Sequence, residues 1–207
     1  MLQKKYIISF MRIKKINNLP NILTIIRLLS CPLIICLFIF GKRTAYENVH
    51  TDTFLQILII FMLACLTDFF DGYLARKKSL KSNFGKILDP IADKSLIITV
   101  CIMLLIYEKI PEIHKIAFYI IIIREIIVSS LRFNLVNVNK NINVSQLSKY
   151  KNLMQMLAFG SILIYKSINH SDVRIIVENI SYFLIWFAAF ATFVSGVQHF
   201  KTYLKLK

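Results

Sequence analysis

Six apolar stretches, at 22–40, 54–73, 90–107, 116–136, 153–168 and 175–200, take up most of this 207-residue chain and leave only short connections between them. Apolar runs of this length are what a helix needs to cross a bilayer, and no soluble core of this size would need so many. The composition agrees, with 57% hydrophobic and 13% aromatic residues and a mean hydropathy of +0.62. The expected fold is therefore all-α, a polytopic membrane protein of six transmembrane helices in one domain over 19–207, preceded by a basic juxtamembrane segment at 1–18. In that segment the apolar run 6–11 is too short to span and suits an interfacial amphipathic helix. It lacks a small-residue cleavage site, so it reads as a retained anchor and not as a signal peptide, with Met11 an alternative start.

A net charge of +15 raises the question of nucleic acid, and the distribution answers it. The basic residues gather ahead of Pro20, between the second and third stretches, between the fourth and fifth, and at the end of the chain. Glu47, Asp52, Glu108, Glu112, Asp172 and Glu178 fall in or beside the alternate loops. This is the positive-inside pattern, and it puts both termini and the loop between stretches two and three in the cytoplasm. A basic cytoplasmic face also suits anionic lipids and phosphorylated metabolites, so no nucleic-acid partner is expected.

Chemistry concentrates at that loop. The chain there reads Asp68-x2-Asp71-Gly72-x2-Ala75-Arg76-x8-Gly85-x3-Asp89-x3-Asp93. On helices each aspartate pair lies on one face, and an antiparallel helix pair brings all four to one depth. A carboxylate deep in a membrane helix costs about 2.5 to 3.5 kcal/mol, and such residues usually mark function. Four together repel one another, whereas two divalent cations cancel their charge. Oxygen ligands without Cys or His favour a hard ion, Mg2+ or Mn2+, and a two-ion carboxylate site suits phosphoryl chemistry. The competing reading, helix caps and surface charge, accounts only for Asp89 ahead of Pro90. The cysteines Cys31, Cys36, Cys65 and Cys101 lie in apolar stretches without ligand spacing and read as core packing, and none of the four histidines is near the aspartates.

Every fixed position of this motif resembles the signature of the CDP-alcohol phosphotransferase (phosphatidyltransferase) family. Three further stretches resemble its bacterial phosphatidylglycerophosphate synthases. They are Pro20-Asn21-x-Leu23-Thr24-x2-Arg27, Arg124-Glu125-Ile126-x-Val128-x2-Leu131-Arg132, and Lys149-x-Lys151-x3-Gln155-Met156, the last departing at Ser148 and Asn152. The resemblance implies an all-helical, homodimeric enzyme of the inner (cytoplasmic) membrane. It would move the phosphatidyl group of CDP-diacylglycerol to glycerol 3-phosphate and release CMP, with Mg2+ or Mn2+ as a pair of ions. It also implies roles. Asp68, Asp71, Asp89 and Asp93 hold metal, and Asp93 removes the proton of the acceptor hydroxyl. Asp68, Gly72, Ala75, Arg76 and Gly85 receive the CDP-lipid. Arg27, Arg124, Arg132, Lys149 and Lys151 bind the acceptor's phosphate, with a snorkelling role open for Arg27 and ordinary topogenic charge open for the others. Arg124 and Glu125 are neighbours that point different ways on a helix, so each is expected to need its own partner. The last stretch ends with Ser195-Gly196, like the family's SGxxY ending without its tyrosine, and no chemistry is attached to it. Serine or phosphatidylglycerol is the alternative acceptor. A cation channel is the reading from another class, disfavoured because the segments beyond the aspartates are apolar.

Overall fold

The computed structural model describes residues 19–44, 51–78, 83–136, 146–169 and 171–206, with side chains at 22–41, 51–68, 91–92, 94–131, 150–169 and 172–204. The basic segment 1–18 lies outside the described residues. Among the described residues there are six helices and no strand: α1 Leu19–Thr44, α2 Thr51–Lys78, α3 Asn83–Tyr107, α4 Glu112–Val136, α5 Gln146–Ser167 and α6 Ser171–Leu206. Each apolar stretch falls on one of them, and the 153–168 stretch overruns α5 by a single residue.

Among the described residues three helices are long and apolar enough to cross a membrane, over Ile22–Gly41, Thr51–Asp68 and Asp172–Leu204, and α3 carries a shorter apolar portion, Lys94–Tyr107. The helices α4 and α5 fall short in composition for a visible reason. They carry Arg124, Glu125, Lys151 and Gln155, all of which are buried inside the bundle.

The packing order is a ring. Helix α1 rests on α2 and α3, α2 on α5, α5 on α6, and α6 on α4, with a light α3–α4 seam closing the circuit. Among the described residues α2 and α3 touch little and are held together through α1. The core is filled by Phe38, Phe54, Phe61, Phe118 and Phe159 with branched aliphatic residues around them. Phe38 meets Phe54 edge-on at 5.8 Å, and Phe118 meets Phe159 at 5.7 Å, an arrangement aromatic pairs favour. Outside, the rule of soluble proteins is inverted, since Phe183 and Phe190 on α6 are 70% and 67% exposed. A surface of this kind needs lipid around it.

Cysteine packing holds only in part. Cys31 and Cys101 are buried, where their thiols meet Ser95 Oγ on α3 and the Phe118 carbonyl on α4, but Cys36 is exposed on the outward face of α1 and Cys65 is half-buried.

One end of the bundle is fastened by polar and aromatic contacts. Lys166 at the end of α5 donates to Glu108 Oε2 at 2.6 Å, and the Tyr165 and Tyr182 hydroxyls lie 3.2 Å apart. His114 stacks on Tyr182 with centroids 3.9 Å apart and accepts from Trp186 Nε1 at 3.1 Å. These residues sit where α3 and α5 end and α4 and α6 begin, so the aspartate motif, where α2 ends and α3 begins, belongs to the opposite end.

Candidate active site

Both motif helices run unbroken through the aspartates. Asp68 and Asp71 stand one turn apart on α2, and Gly72, Ala75 and Arg76 follow on the same helix before it ends at Lys78. Helix α3 starts at Asn83 and not at Pro90, so Asp89 lies inside it rather than at its N-cap. The capping explanation of Asp89 therefore fails, and Asp89 and Asp93 stand one turn apart inside a continuous helix. The side chains of Asp71, Gly72, Ala75, Arg76, Gly85, Asp89 and Asp93 lie outside the described residues.

Asp68 is the motif aspartate whose side chain is described, and its partner comes from α1. Arg27 Nη1 lies 3.1 Å from Asp68 Oδ1, with the arginine side chain 1% exposed and the aspartate 30%. A buried guanidinium is costly unless paired with a carboxylate, so α1 and α2 are locked together at this depth. Arg27 does not snorkel to the surface. It also stands apart from the other basic residues expected to bind the acceptor, because it joins the aspartate motif. The Asp68 carboxylate keeps an open edge, and the four motif positions supply oxygen donors only, which fits hard divalent cations.

The second cluster is built by α3, α4, α5 and α6 around Glu125, which is 1% exposed. Arg124 Nη1 reaches both carboxylate oxygens at 3.2 and 3.3 Å, Lys151 Nζ donates to Oε1, and Gln155 Nε2 donates to the same oxygen at 3.1 Å. Gln155 also reaches Thr192 Oγ1 on α6 at 3.0 Å, and Arg124 Nη2 donates to Ser195 Oγ. From α3, Lys94 donates to Ser129 Oγ, which in turn donates to the Glu125 carbonyl. Lys94 is the residue after Asp93, so the network begins beside the motif.

Sequence reasoning found Arg124 and Lys151, and the structure gathers both on one carboxylate. The side chains of Arg132 and Lys149 lie outside the described residues. The expectation that Arg124 and Glu125 each need separate partners is half right. Each has them, but Arg124 is long enough to fold back onto Glu125 as well. Glu125 as a hub, and Lys94, Thr192, Ser195 and Gly196 around it, were missed. The available signal was small and hydroxylic residues punctuating the otherwise apolar α6, where glycine costs about 0.5 to 1 kcal/mol against alanine.

Apolar helices that need lipid, a carboxylate motif carried on two of them and buried cations on the others together define a membrane enzyme of phosphorylated substrates. The chain belongs to the CDP-alcohol phosphatidyltransferase family, whose model matches residues 17–194. Among curated relatives, the CDP-diacylglycerol–glycerol-3-phosphate 3-phosphatidyltransferase of Rickettsia prowazekii is 41% identical over 92% of this chain and 97% of its own length. The protein of the same name in Rickettsia bellii is 43% identical over 89% and 94% respectively, and that of Bacillus subtilis 32% over 88% and 93%.

Proposed function

We propose that this protein transfers the phosphatidyl group of CDP-diacylglycerol to sn-glycerol 3-phosphate, giving phosphatidylglycerophosphate and CMP in phospholipid synthesis. The relatives of Rickettsia prowazekii and Rickettsia bellii carry the name of this activity over nearly their whole lengths. The observation that carries the acceptor is the convergence of Arg124 and Lys151, from two helices, on buried Glu125. A dianionic phosphate needs more than one cation held in a fixed geometry, which these side chains from two helices supply, whereas serine or another uncharged alcohol needs no such pair.

Asp68, Asp71, Asp89 and Asp93 would hold two divalent cations, Mg2+ or Mn2+, of the kind the family uses. When bound, these cations neutralise the pyrophosphate and the charge that develops on departing CMP. Arg27 pairs with the Asp68 carboxylate and orients it, a role on the donor side of the site. Gly72, Ala75 and Gly85 admit the nucleotide closely, and Arg76 grips its phosphates. Arg124, Arg132, Lys149 and Lys151 orient the acceptor's phosphate. Asp93 takes the proton of the acceptor hydroxyl as the oxygen attacks the lipid-bearing phosphorus. A new P–O bond forms, the bond to CMP breaks, and CMP leaves with its electron pair.

All six helices span the membrane in this reading, as a homodimer in the inner membrane with both termini and the site cytoplasmic and residues 1–18 along the surface. The buried, mutually satisfied charges of α4 and α5 support it, since their polar groups need not meet lipid. The test is CMP release by the purified protein from CDP-diacylglycerol and Mg2+ with glycerol 3-phosphate, serine, inositol or phosphatidylglycerol supplied separately. Release with glycerol 3-phosphate alone is expected. Release with a different alcohol alone would keep the chemistry and overturn the acceptor.

A further inference from the structure

We propose that Ser195 and Gly196 on α6 are positioning residues that set the Arg124 guanidinium for the acceptor's phosphate, an inference that rests on the acceptor reading above. Ser195 Oγ accepts from Arg124 Nη2, while Nη1 is held by Glu125, so both ends of the guanidinium are pinned from different helices. Gly196 supplies the room for the stem. A Cβ at that position would lie 3.0 Å from Arg124 Cγ, 3.4 Å from Nε and 3.8 Å from Cδ. A long side chain usually escapes such a contact by swinging its far end, but this far end is fixed by two partners. A methyl group at Gly196 therefore asks the Arg124 stem to give by a few tenths of an ångström, and with its far end held that shift is passed on to the guanidinium.

The arrangement explains why a glycine and a serine sit together in the longest of the described helices. Helix α6 is otherwise lined on its outward side by large apolar residues, and Ser195, like Thr192 one turn earlier, is buried on its inward side against the Glu125 network. The last helix thereby joins the site without contributing a charge. Its role is to hold the angle and depth of an arginine that α4 carries.

A positioning role predicts a split in kinetic constants. Gly196→Ala and Ser195→Ala are each expected to raise KM for glycerol 3-phosphate about tenfold, because small misplacements of a substrate-orienting group are costly. The KM for CDP-diacylglycerol should stay within about twofold of the parent, and Ser195→Thr, which keeps the hydroxyl, should restore most of the loss. Arg124→Ala supplies the decisive background. With no side chain left to displace, adding Gly196→Ala should change KM for glycerol 3-phosphate by less than about twofold further.

The outcomes separate the two claims. If Arg124→Ala leaves KM for glycerol 3-phosphate unchanged, the acceptor reading itself falls. If Arg124→Ala raises it while both α6 variants leave it at the parent value, the acceptor reading stands and the positioning role is overturned. That role is likewise overturned if Gly196→Ala raises both KM values and does so equally in the Arg124→Ala background, since the glycine would then serve helix packing alone. Ser195→Ala, which only removes an oxygen, keeps the test open should Gly196→Ala fail to fold.

Discussion

Replacing Glu125 should unfasten the bundle as well as the site, and the size of the effect follows from its surroundings. The carboxylate is 1% exposed and takes hydrogen bonds from Arg124, Lys151 and Gln155, with Arg124 and Lys151 themselves 8% and 4% exposed. Neutral hydrogen bonds between membrane helices average about 0.6 kcal/mol, so bond counting alone would predict a mild loss. The ionic contribution decides otherwise, because removing one member of a buried charge pair costs about 3 to 5 kcal/mol. Here two cations lose the same anion. Glu125→Ala is therefore expected to lose about 3 to 5 kcal/mol, and Glu125→Gln, which keeps the shape and an accepting oxygen, about 1.5 to 3 kcal/mol. At roughly 2 to 4 °C per kcal/mol for a chain of this size, the alanine variant should melt about 6 to 20 °C lower. A thiol-reactive fluorophore offers the assay in detergent. Cys101 is fully buried and Cys31 nearly so, and they react only on unfolding, while exposed Cys36 sets the starting baseline. An alanine variant that melts within about 2 °C of the parent would refute the reasoning, since Arg124 and Lys151 would then be satisfied without Glu125.

Arg27→Ala, which strips Asp68 of its cation, should lower kcat/KM for CDP-diacylglycerol about 100-fold and leave KM for glycerol 3-phosphate little changed; steady-state kinetics with each substrate varied would show the opposite split if Arg27 binds the acceptor. At the far end of the bundle, Lys166→Met strands Glu108, which is 6% exposed, and should cost about 3 kcal/mol in thermal unfolding without altering either KM. Adding Glu108→Gln to Lys166→Met should recover most of that stability, and a double variant no better than the single would contradict the pairing. Chelation by EDTA should abolish CMP release and excess Mg2+ or Mn2+ should restore it; activity that persists in EDTA would remove the aspartates' assigned role.

The architecture was readable from sequence because both signals that encode it are local. Apolar runs of span length mark the helices, and each is found on one. The aspartate spacing marks two helices by requiring same-face pairs, and α2 and α3 do run through all four positions. Helix ends were less legible, as α3 begins seven residues before the apolar stretch that signalled it, since its first turns mix Phe84, Ile87 and Leu88 with Asn83, Gly85, Lys86 and Asp89 and lack hydropathic contrast. Least legible were partners across helices. Arg27 carried no sign that it would meet Asp68 rather than the other basic residues, because that pairing depends on α1 lying between α2 and α3. Ser195 and Gly196 gave no chemistry of their own, and their contact with Arg124 exists only once α4 and α6 are packed together. Single-helix geometry could say that Glu125 needed a partner, but not that Lys151 and Gln155 from another helix would share it.

The most direct test of the central claim is the lipid product itself, identified by mass spectrometry after incubating purified protein with CDP-diacylglycerol, Mg2+ and isotopically labelled glycerol 3-phosphate. Labelled phosphatidylglycerophosphate should form in step with CMP, and none should form with Asp93→Asn. CMP released without label entering the lipid, or full product from Asp93→Asn, would contradict the assignment.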